Sequence, residues 1–367
     1  MGKKLNKTAK SNAVTYGIVI AAWAVMMVLQ SQGMVSNSIS GLLVPVCIYS
    51  IMAVSLNLTV GILGDLSLGH AGFMCVGAFA SALFTNLAKD AIPMTWLRFT
   101  LAILIGAAVA AVFGFLIAIP VLRLSGDYLA IVTLAFGEII KNFLNILYVG
   151  KDSHGLHVSI KDSMSLGMEP DGVVIIKGPQ GITGTSRDAT FTIGIVLLLI
   201  SLFIVLRLIQ SRDGRAIKAI RDNRIAAESI GIHITKYKLM AFTISAAIAG
   251  MGGALYAHNY SSLAATSAKF GYNMSIMFLV YVVLGGIGNI RGSVIAATIL
   301  YILPELLRSM QKYRMLIYAI VLIAVMLFSW SPAARQFRER YSLKRLFKKN
   351  TEKEDRSEER RVGKECR

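Results

Sequence analysis

The chain has 367 residues, 55% of them hydrophobic and 16% charged, with mean hydropathy +0.63. Soluble domains carry nearer a quarter charged residues, and the apolar residues here lie in runs of about 20, enough to cross a hydrocarbon core as a helix. A soluble core is therefore excluded, as is a β-barrel, whose strands alternate polar and apolar over about ten residues. The formal charge of +18 is not laid out in aromatic-interleaved basic patches, so it points to Lys- and Arg-rich cytoplasmic loops rather than to nucleic acid.

In chain order, Lys3, Lys4, Lys7 and Lys10 precede the first apolar run, and no clear small-residue cleavage site follows. The expectation is a cytoplasmic segment over 1–13 and an uncleaved first span. Apolar spans are predicted at 14–30, 41–63, 68–88, 99–119, 128–149, 190–209, 237–257, 273–286, 293–307 and 315–331. They make an all-α integral membrane domain over 14–332 with both termini cytoplasmic. One broken helix across 273–307 would give nine spans instead of ten. Charge favours ten, because the basic loop 207–238 and the basic tail 333–355 then both face the cytoplasm, although Arg308, Lys312 and Arg314 would lie outside.

The stretch 150–189 would be an external loop, rich in turn residues at Gly178–Gly184, with a docking or gating role. His154 and His157 lie there, but a metal site needs three or four ligands, so none is expected. Cys47 and Cys75 fall in apolar segments, where a structural disulfide is not expected.

Two apolar regions, Val60–Ser81 and Val282–Thr298, are interrupted by glycine together with charged and polar residues. Non-helical backbone at membrane depth is tolerated where it is buried in protein or lines a cavity, and paired interruptions in the two halves of a chain point to a translocation site. Asp65, Ser67, Gly69, His70 and Phe73 in the first region, and Gly285, Gly286 and Gly288 in the second, are the candidates for lining or gating a pathway. Close packing of helices through small residues accounts for the same glycines equally well. Glu138 and Lys141, three residues apart on one helix face, read as a neutralising intramembrane pair. No clustered nucleophile or metal set suggests an enzyme. The phosphate-binding pattern G-x-x-x-x-G-K-[ST] is absent, so energy must come from a partner or an ion gradient.

The basic loop 210–236 carries one predicted helix, Arg215–Ser229, ending at Gly231. Ala226 and Ala227 would let another protein approach closely, with Arg221, Asp222 and Glu228 fixing register. This loop resembles the cytoplasmic coupling loop of bacterial ABC importers, Glu-Ala-Ala-x-x-x-Gly: Ala226, Ala227 and Gly231 match, while Ile225 replaces the glutamate. Over roughly 40–332 the chain is similar to the Liv-type branched-chain amino-acid permeases, in the segments Leu56–Phe79, Arg123–Leu144, Gly178–Ile182, the coupling loop and Leu284–Ala297. The long 150–189 loop and the motif order look like the M-type subunit rather than the H-type.

The resemblance implies a non-enzymatic permease in a bacterial-type inner membrane, paired as a heterodimer with a second homologous permease. It also implies two ATP-binding subunits that hold ATP and Mg, an extracytoplasmic solute-binding protein, surrounding lipid, and no cofactor on this chain. An ion-driven secondary transporter, or a Liv-type permease for urea or short amides, is the alternative. The final twelve residues, Arg356–Arg367, are identified as the translation of a common sequencing-library adapter rather than a solvated charged tail.

Overall fold

The computed structural model describes residues 7–307 apart from 34–35, 90, 123, 125, 153 and 169–171, together with isolated positions between 313 and 327. Two compact units are distinguished, Met1–Ile302 and Leu303–Arg367. The expected adapter segment and the basic tail 333–355 lie outside the described residues.

Helices α1 (Lys7–Ser31) and α2 (Asn37–Asn57) come first, and α2 loosens into a π-helical stretch at Leu58–Leu63. Then follow α3 (His70–Leu87), α4 (Thr95–Val121) and α5 (Asp127–Ile146). Strands β1 (Tyr148–Asp152), β2 (Gly155–Ser159), β3 (Val173–Lys177) and β4 (Ile182–Thr183) precede α6 (Phe191–Gln210). Two short helices, α7 (Arg212–Asp222) and α8 (Arg224–Ser229), lead into α9 (Ile234–Ala257). Strand β5 (Ser262–Leu263), α10 (Ser267–Phe270), α11 (Tyr272–Gly285) and α12 (Ile290–Leu306) complete the order, and the first unit ends within α12, at Ile302.

Eight helical stretches among the described residues are long and apolar enough to cross a membrane, α10 and α11 counting as one. The fold is that of a multi-pass membrane protein. Helix α12, at 17 residues, is shorter than these, and the expected span 315–331 falls largely outside the described residues.

The core is built from α3, α4 and α9, which approach backbone to backbone through small residues. A Cβ on Gly106 would lie 2.8 Å from the Gly77 carbonyl oxygen, and one on Gly250 would lie 2.7 Å from that of Gly106. Membrane helices lack a hydrophobic force between them and associate through such close packing.

The stretch expected as an external loop supplies most of the first four strands of a five-stranded antiparallel sheet in the order β2-β1-β3-β4-β5. Val173–Lys177 reads VVIIK, a β-branched run that favours a strand. Strand β5 comes from the far side of α9, so the sheet joins two distant parts of the chain.

Candidate functional site

The two glycine-interrupted regions meet in space. At the end of α2 the Thr59 hydroxyl donates back to the Leu56 carbonyl at 2.9 Å, a bond that competes with regular helix. Gly64 then takes a left-handed φ of +85° and the chain stays non-helical until α3 starts at His70. In the second region α11 stops at Gly285, and Gly286 and Gly288 turn the chain with φ of +94° and +81°. A Cβ on Gly61 would run into the backbone of Gly288, so these two breaks touch through main chain.

Asn57 bridges them. Its side-chain oxygen accepts from the Gly288 N–H at 2.9 Å, and its Nδ2 donates to the Ser293 hydroxyl at 2.6 Å. Both groups of a buried amide are thereby satisfied.

Arg221, at the end of α7, reaches the same place. Its Nη1 donates to the Gly61 carbonyl at 2.8 Å and its stem lies over Gly64, while Nε and Nη2 hold Asp222 at 3.2 and 3.1 Å. Asp65, just past the break, accepts from Lys238 of α9 through both carboxylate oxygens, at 2.7 and 2.6 Å. The lysine and aspartate side chains are only 8% and 14% exposed.

Ser67, His70 and Phe73 are buried within the chain. His70 Nε2 lies 2.8 Å from the Ser245 hydroxyl and Nδ1 lies 3.3 Å from that of Ser67. The Ser245 hydroxyl already donates to the Ser55 carbonyl at 2.7 Å, so hydrogen-bond accounting places the imidazole proton on Nε2. Phe73 meets Phe242 edge-on. A Cβ on Gly69 would strike the Thr133 carbonyl, which seats α3 against α5.

Glu138 and Lys141 form a direct ion pair. Lys141 also donates to Ser267 at 2.9 Å, and the second oxygen of Glu138 accepts from the Tyr272 N–H at 2.8 Å, which ties α5 to α10 and α11.

The loop after α6 differs from the single helix expected over Arg215–Ser229. It breaks at Asn223, whose side chain caps α8 by accepting from the Ala226 N–H at 3.0 Å. Asparagine is among the strongest N-caps, which explains the new start. Gly231 follows α8 with φ of +83°. Ala227 is buried against Ile220 and Ile234, so it is not the surface a partner would meet; Ala226 and Glu228 are exposed. Ile225, which the sequence marks only as the departure from the motif's glutamate, and Ile230, which it does not mark, are 81% and 74% exposed. Two isoleucines flanking a matched motif were the available signal.

In the sheet, Asp152 accepts from the His154 and Gly155 N–H groups and lies 3.0 Å from His157 Nε2. Among the described residues no group of three or more His, Cys, Asp or Glu could hold a metal ion. Cys47 and Cys75 are buried free thiols.

A family profile described as branched-chain amino acid transport system / permease component matches residues 38–328. The chain belongs to that family. A transport permease is not itself an enzyme. All the contacts described above lie within the matched permease region. The chain is 35% identical over 294 residues to the high-affinity branched-chain amino acid transport system permease protein LivM of Salmonella typhimurium, covering 78% of this chain and 67% of that relative. To LivH of the same organism it is 23% identical over 257 residues, 69% of this chain and 79% of LivH. To the nucleoside ABC transporter permease protein NupC of Lactococcus lactis it is 24% identical over 202 residues, 54% of this chain and 60% of NupC. No solved structure matches the chain.

Proposed function

We propose that the chain is the M-type permease subunit of an ABC importer that carries branched-chain or related hydrophobic amino acids across a bacterial-type cytoplasmic membrane. The observation that supports this most is Arg221, which links the end of α7 to the interrupted end of α2. Energy released on a partner at the coupling loop then has a physical route to a broken membrane helix. The higher identity to LivM than to LivH supports the M-type assignment.

Helices α7 and α8 are the coupling elements and lie in the cytoplasm, where the orientation rule puts Arg207, Arg212, Arg215, Lys218, Arg221, Arg224, Lys236 and Lys238. Helix α9 has 24 residues, about 36 Å at 1.5 Å per residue, so the sheet beyond its far end lies outside and offers a surface to a solute-binding protein. Exposed Ile225 and Ile230, rimmed by Arg224 and Glu228, form the docking face for an ATP-binding subunit. ATP and Mg are held by two such partners, and a second, homologous permease completes the pathway. The interruptions at Gly64–Gly69 and Gly286–Asn289 are the bending points of ten spans whose termini are both cytoplasmic.

The test is ATP-dependent uptake of labelled leucine by the reconstituted complex, with unlabelled valine, urea and a nucleoside as competitors. Competition by valine alone is expected. Uptake that persists without ATP and follows an ion gradient, or competition by the nucleoside or urea instead of valine, would overturn the assignment.

A further inference from the structure

The break in α2 leaves two loose points. Gly61 belongs to the last four residues before Gly64, where carbonyls have no partner within the helix. Asp65 lies in the non-helical stretch Gly64–Gly69. Each point is held from outside, the Gly61 carbonyl by Arg221 of α7 and the Asp65 carboxylate by Lys238 of α9. Helices α7, α8 and α9 are themselves fastened together by buried Ile220, Ala227 and Ile234, so both holds come from one body.

An apolar pair of similar volume would keep α9 against this segment without desolvating two charges, and such replacements are often neutral or stabilising. Stability alone therefore does not call for Asp65 and Lys238. What the ion pair adds is register: the ammonium engages both carboxylate oxygens, so the segment cannot slide along α9 without separating charges in a poorly hydrated place.

We infer that Arg221–Gly61 and Asp65–Lys238 act as a two-point link that makes the interrupted end of α2 follow every displacement of the coupling helices. Lys238 is thus a positioning residue for transport. This rests on the importer reading given above, and it adds the specific residues through which motion reaches the membrane segment.

The experiment uses the whole complex in proteoliposomes: this chain, the second permease, the ATP-binding subunits and the solute-binding protein, with labelled leucine as probe. The quantity read is leucine moved per ATP hydrolysed. Asp65→Lys and Lys238→Asp are each expected to lower that ratio about tenfold, within the usual range of coupling energies between sites, and the double exchange is expected to restore most of it. Arg221→Met, at a side chain that is 40% exposed and so less exposed to folding failure, is expected to lower the ratio at unchanged amounts of assembled complex. An unchanged ratio in the single variants overturns the link. So does a joint fall of uptake, ATP hydrolysis and assembled complex that the double exchange does not recover, because that marks a structural role. A wild-type complex with no ATP-dependent leucine uptake overturns the importer reading itself, before any variant is compared.

Discussion

Replacing Ile225 by alanine tests the docking face at one side chain. Ile225 is 81% exposed in this chain, so nearly all of its surface is free to be covered by a partner. The substitution removes three carbons, each worth about 0.8 kcal/mol on burial, for a ceiling of about 2.4 kcal/mol. Scaled by the exposed fraction, the expected loss is about 2 kcal/mol, or roughly thirtyfold in affinity for the ATP-binding subunit. Alanine is the better helix former, so α8 itself does not weaken. The assay is equilibrium binding of the purified ATP-binding subunit to the permease pair in nanodiscs, with melting of the variant followed in parallel. Affinity within about twofold of wild type, at equal melting temperature, would refute the idea that α8 presents Ile225 to the partner.

Three further outcomes follow from the geometry. Gly231→Arg meets no atom within 4 Å of its added Cβ and only the strain of φ +83°, about 1–2 kcal/mol; membrane levels on an immunoblot should hold while leucine uptake is lost at the docking face. Gly250→Val drives a side chain into Ala110 and the Gly106 carbonyl, an overpacking cost of about 3 kcal/mol or more, so scanning fluorimetry in detergent should show a clearly lower melting temperature. Asn57→Leu strands the Gly288 N–H at a cost of about 1–3 kcal/mol, and should lower both melting temperature and uptake, whereas an unchanged pair of readings would remove Asn57 from the junction.

What could be read from the sequence was whatever depends on near neighbours. The apolar runs mark α1 to α6 and α9 because crossing a membrane sets a length and a composition. Glu138 and Lys141 were visible as a pair because three residues on a helix share a face. The Asn223 cap was also local, but the periodic run of basic and apolar residues from Arg215 to Ser229 hides it, and only the chain's return toward α9 decides the break. Ala227 turning inward needs knowledge of Ile234, which lies on the next helix. Lys238 and Asp65 stand 173 positions apart, and Asn57 and Gly288 stand 231 apart; no spacing rule reaches that far. The sheet was hidden differently, since its β-branched residues sit among turn-formers that suggested a plain loop.

The glycine seams of α3, α4 and α9 also decide how a displacement can spread through the bundle. Where main chain lies on main chain there is no side-chain rotamer to change, so such a seam has no second arrangement near the first in energy. A displacement of α9 together with the coupling helices would therefore carry α3 and α4 with it as one block. The α10–α11 arm is held instead by polar side chains, Glu138 and Lys141, whose contacts can be exchanged one at a time.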